Sequence, residues 1–140
     1  MPAFPPEVEL VYAVEPAETA RRLAERRIAE SPVHVEHIAL VAESIPLDEA
    51  SCDGALSTFT LCTIPDVEGA LSEIHRVLRP GGRFHFLEHG LSPDESIATW
   101  QRRLEPIQKR VADGCHLTRD PTDLVRAAGF GIDRAESRYA

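Results

Sequence analysis

The chain has 140 residues, a mass of 15.5 kDa and 43% hydrophobic residues, enough for one domain around a single core and too few for two. With 23 acidic and 15 basic side chains the formal charge is −8. That argues against a duplex nucleic-acid binder, which needs clustered bases to displace counterions.

Apolar runs such as Leu10 to Val14 and Ile38 to Ala42 stop after about five residues, against the roughly 20 of a spanning helix, so no membrane span is expected. The opening residues MPAFPPEVEL lack the basic and apolar regions of a secretory leader. Cys52, Cys62 and Cys115 fit neither a disulfide framework nor a zinc cluster. The expectation is a cytoplasmic protein with reduced thiols and no metal.

In chain order, ELVYAV at Glu9 to Val14 is an apolar, β-branched and aromatic run of strand length, expected as a buried parallel strand. Ala20, Leu23, Ala24 and Ile28 then recur at helical spacing, with Ser31-Pro32 closing the segment. A second strand is expected within Val33 to Ala42 and a third at Asp53 to Phe59. Val67, Ala70, Leu71, Ile74, Val77 and Leu78 form an amphipathic stripe, and Arg79-Pro80-Gly81-Gly82 reads as its stop and turn. A fourth strand follows at Arg83 to Gly90. Ile97, Trp100, Leu104, Ile107 and Val111 mark a long helix from about Asp94, bent at Pro106, with Trp100 expected in a core stripe. Thr122 to Ala128 forms a short helix stopped by Gly129, and Gly131 to Ala140 reads as a final edge strand. This alternation predicts a single α/β domain over residues 1–140, with a mostly parallel sheet.

Five pieces carry a family likeness: YAVEP at 12–16, AESIPL at 42–47, SCDGALSTFTLCTIPD at 51–66, ALSEIHRVLRPGGRFHFLEHG at 70–90 and GCHLTRDP at 114–121. On these the chain resembles the class I S-adenosylmethionine-dependent methyltransferases, near the ubiquinone and menaquinone C-methyltransferases and a thiol-methyltransferase branch. The resemblance implies a three-layer Rossmann-like sandwich truncated at both ends. Members carry an initial strand with a glycine-rich loop, absent here, and one more strand after the equivalent of Tyr139-Ala140. By the family's strand order the absent first strand lies between the strands at Glu9 to Val14 and Asp53 to Phe59. Two buried edges are thereby left, to be closed on each other or covered by Met1 to Pro6 or a second copy. A homodimer or strand-swapped dimer is the favoured expectation.

Site residues follow from strand ends, where α/β sheets place ligands. Glu15, followed by Pro16, offers a carboxylate to the two hydroxyls of a ribose, and the resemblance assigns both to the cofactor. The resemblance also puts Ala42 and Glu43 at the adenine and Thr60 and Leu61 beside the sulfonium. Cys62 reads as a small buried hydrophobe. Glu88 and Cys115 are candidates for binding the substrate that accepts the methyl, and His89 and His116 are candidate bases, since imidazole readily takes a proton near neutral pH. Each also has a structural reading: Glu15 as a solvated acid, Val41 as core, Glu43 as surface, and the histidines as hydrogen-bonded turn residues. The implied function is methyl transfer from S-adenosylmethionine to a small, apolar thiol, hydroxyl or ring-carbon acceptor. A catalytically inactive binding or assembly module is the alternative, and a nicotinamide enzyme trails both for want of a glycine fingerprint.

Overall fold

The structure, a computed structural model, describes residues 4–39, 41–92, 94–111, 116 and 118–136. Its elements are β1 (Leu10–Val14), α1 (Glu18–Ala29), β2 (His34–Ala39), β3 (Cys52–Thr58), α2 (Val67–Val77), β4 (Leu78–Leu87), α3 (Glu95–Val111) and α4 (Pro121–Ala127). Local chemistry sets several boundaries. Asp66 caps α2 by accepting the Gly69 N–H at 2.9 Å, and Asp120 caps α4 through the N–H groups of Thr122 and Asp123 at 2.8 and 3.2 Å. Pro121 stands in the first turn of α4, where its missing N–H costs nothing.

Both strand pairings are parallel. β1 runs beside β2 from Leu10↔His34 to Val14↔Ala39, and β3 beside β4 from Gly54↔Arg83 to Thr58↔Leu87. The two pairs are separate sheets, so β1 and β3 do not close on each other. β4 begins earlier than expected, because Cys52 pairs with Leu78 before the register jumps to Gly54↔Arg83. Arg79 to Gly82 is therefore a bulge inside a strand. Gly81 sits at φ +80°, and a Cβ on Gly82 would meet the Arg79 carbonyl oxygen at 2.9 Å.

The core is built from residue 61 onward. Leu61, Val67, Leu71 and Val125 are buried together, with Ile64, Ile74, Phe84, Phe86, Phe130 and Ile132 packed around them. The first half is open: α1 buries no residue, and Leu23 of its apolar stripe is 76% exposed. β1, expected buried, leaves Leu10 and Tyr12 exposed, because no described element covers that flank. The accessible surface is 10147 Å², whereas a compact monomer of this mass shows about 7200 Å².

Two further expectations are corrected. Residues 131–136 form no strand, while 137–140 lie outside the described residues. On α3 the apolar stripe faces outward, with Trp100 61% exposed and Ile97, Leu104 and Ile107 also exposed. The reason is polar anchoring of the other face. Gln101 donates to the Gly90 carbonyl at 3.1 Å and accepts the Ser92 N–H at 2.8 Å, and Glu105 accepts the Thr118 hydroxyl at 2.6 Å.

Candidate active site at the strand ends

Parallel pairing places the carboxyl ends of β1 and β2 together, and likewise those of β3 and β4. Glu15 follows β1 half-buried, and its Oε1 accepts the Ala17 N–H at 2.8 Å. The carboxylate thereby supports the first turn of α1, whose cap residue Ala17 has no side-chain oxygen. Oε2 carries no hydrogen bond among the described residues. Pro16 is exposed. Beyond β2, Ala42 and Glu43 are half-buried, and Val41, which one reading placed in the core, is exposed.

The loop after Glu43 is fastened to α2. Glu73 accepts from Arg76 Nε at 2.7 Å and Nη2 at 2.8 Å, and from the Ile45 N–H at 2.9 Å. Arg76 also donates to the carbonyls of Leu47 and Ile45 at 2.8 and 2.9 Å. The Arg76 guanidinium, and next the Ile45 N–H, bring the Glu73 carboxyl down to about 2.

The densest polar construction joins the ends of β3 and β4. Glu88, one residue past β4, accepts at Oε1 from the Ser57 hydroxyl at 2.6 Å and the Thr60 N–H at 3.1 Å, and at Oε2 from the Leu61 N–H at 3.0 Å. The Thr60 carbonyl accepts the N–H groups of Thr63 and Ile64 at 2.9 and 3.1 Å. Arg119 Nη1 donates to the carbonyls of Leu61 at 2.7 Å and Ile64 at 2.8 Å. The His116 N–H reaches the Cys62 carbonyl at 2.8 Å. Phe59, which opens this turn, has φ +52°, a left-handed conformation rare for an aromatic residue.

Thr60, Leu61, Glu88, His89 and His116 are thus brought to one turn. His89 is exposed and its ring lies 4.7 Å from that of Phe59, and His116 Nδ1 stands 3.4 Å from Glu105 Oε1. Leu61 is a core residue whose N–H and carbonyl are both engaged within the protein. Cys62 is buried, as a small hydrophobe would be. Cys115 lies outside the described residues. No described hydrogen bond links Glu15 or Glu43 to this turn. Arg119, Ser57 and Glu105 also join this candidate site, and the sequence reading does not single them out. Only the position of Arg119 inside GCHLTRDP hinted at it, since its carbonyl partners lie more than 50 residues away.

A concavity of about 920 Å³ lies elsewhere, along β4 between Arg79 and Phe86 and facing Phe130 and Ile132. It follows the length of one strand, whereas ligands of parallel sheets sit beyond the carboxyl ends.

The methyltransferase domain family matches residues 2–86. Over 85 residues the chain is 42% identical to thiol S-methyltransferase TMT1B of Rattus norvegicus, covering 60% of this chain and 35% of that protein. Over 55 residues it is 42% identical to the ubiquinone/menaquinone biosynthesis C-methyltransferase UbiE of Brucella anthropi, covering 39% of this chain and 21% of that protein. The chain thus spans about a third or less of the length of these relatives. A solved methyltransferase structure from Bacillus halodurans superposes with a TM-score of 0.76 at 19% identity, over 92% of this chain and 56% of that one.

Proposed function

Because this chain belongs to the methyltransferase domain family, we propose that it binds S-adenosylmethionine at the carboxyl ends of its strands and methylates a small, apolar acceptor, a thiol before a hydroxyl or ring carbon. The observation that carries the reading is Glu15, a half-buried carboxylate at a strand end of which, among the described residues, only Oε1 accepts a hydrogen bond. A second acceptor oxygen at that place suits a ribose hydroxyl. Ala42 and Glu43, at the end of the neighbouring strand, are the candidates for the adenine. The 42% identity to a thiol S-methyltransferase supports the choice of acceptor.

Held by Glu15, Ala42 and Glu43, S-adenosylmethionine would supply an electrophilic methyl on a sulfonium. Alignment and exclusion of water are what such a transfer asks of the protein. Thr60 contributes a side chain on a turn whose shape is held from both sides. His116, 3.4 Å from Glu105, is the candidate to hold the proton that the thiol gives up. His89, exposed at the end of β4, is the alternative acceptor of that proton, and Cys115 is the candidate on the acceptor side, since both Glu88 oxygens are taken by the Ser57 hydroxyl and the turn's N–H groups. Glu15→Ala should weaken S-adenosylmethionine binding by about 1.5–3 kcal/mol, the scale of a hydrogen bond to a charged group. Calorimetry on both proteins measures it, and equal affinities would remove Glu15 from the site.

The open first half also favours assembly. Exposed Leu10 and Tyr12 on β1 and exposed Leu23 on α1 are apolar groups that a partner would cover. We infer a homodimer or strand-swapped dimer covering the free edges of β1 and β3. Light scattering at micromolar concentration checks it, and a cooperatively melting monomer would refute it. An inactive binding module is the reading left if the dimer forms and no cofactor binds.

A further inference from the structure

We propose that Glu88 and Arg119 are positioning residues: from opposite sides they set the shape of the turn at residues 59–64 that presents Thr60 to the cofactor, while touching no cofactor themselves. The assignment rests on the reading of the strand ends as the cofactor site.

The N–H groups of Thr60 and Leu61 follow a left-handed Phe59, and successive N–H groups in such a turn form a concavity for an anion. The protein fills it with its own carboxylate, one Glu88 oxygen on each N–H. The Ser57 hydroxyl, on a buried residue, donates to the same Oε1 at 2.6 Å and holds the Glu88 side chain in place. On the other side a single Arg119 nitrogen takes the carbonyls of Leu61 and Ile64. Neither group belongs to the turn: Glu88 comes from the end of β4 and Arg119 from the residues before α4. A strained conformation persists when its surroundings over-determine it, and here an anion and a cation do so together.

The chemistry predicts which replacements fail. Glu88→Gln keeps the size of the side chain but swaps one acceptor oxygen for an NH₂ group, which faces an N–H and cannot accept from it. Arg119→Met removes the donors, while Arg119→Lys keeps a charge and donors that can reach a carbonyl.

Amide hydrogen exchange, read residue by residue, is measured alongside calorimetric binding of S-adenosylmethionine. In Glu88→Gln, exchange at Thr60 and Leu61 should rise roughly tenfold or more while the Leu71 amide in α2 keeps its protection, and cofactor affinity should fall about tenfold. Arg119→Met should weaken affinity likewise and Arg119→Lys restore most of it. If Arg119→Met does not fold, Glu88→Gln decides. Unchanged exchange at Thr60 and Leu61, faster exchange with unchanged affinity, or equal loosening of Leu71 would each overturn the assignment. A wild-type chain that binds no S-adenosylmethionine would instead bring down the functional reading, and the positioning role with it.

Discussion

The Glu73–Arg76 bracket offers a stability test whose sign can be worked out beforehand. Glu73 is held at about 2 against an ordinary 4.5, first by Arg76 and then by the Ile45 N–H. A depressed carboxylate contributes its full stabilisation above about pH 4.5 and loses it as pH falls toward about 2, where the folded protein also takes up the proton. Three charge-assisted bonds of 2.7 to 2.9 Å converge on this carboxylate. Both side chains still meet solvent, so Glu73→Gln should cost about 1–2 kcal/mol at pH 7 rather than the sum of three such bonds. For a chain of this length that corresponds to a melting point lower by roughly 3–8 °C. Thermal denaturation of both proteins by circular dichroism between pH 7 and pH 2.5 is the assay. The gap should be constant above pH 5 and shrink steadily below 4.5. A gap that stays the same width down to pH 2.5 would refute the pairing as its source, as would identical melting points at pH 7.

Two more substitutions test where the core lies. Leu71→Ala removes a fully buried side chain from the centre of the cluster and should cost about 2–5 kcal/mol in denaturant unfolding, so a loss under 1 kcal/mol would displace the core from α2. Trp100→Ser, on the exposed face of α3, should change stability by no more than about 0.5 kcal/mol in the same measurement, and a loss of 3 kcal/mol would show that the indole is packed.

Local order was readable because its causes are local. The 67–77 helix follows from its apolar spacing, and the parallel pairing from strands joined by helix-length crossovers. The strand ends at Glu15, Thr60 and Glu88 could be found the same way, because a parallel sheet collects its carboxyl ends. The outward turn of Trp100 could not be read from periodicity, since spacing shows that a helix has two faces and not which one is anchored. Gln101 and Glu105 decided that, through partners at Gly90, Ser92 and Thr118. Nor does spacing show that Glu88 serves the backbone of Thr60 and Leu61, or that Arg119 returns to the Leu61 carbonyl. Those bonds join residues 27 to 58 positions apart, and only the folding of β4 and the segment before α4 onto one turn brings them within 3.1 Å.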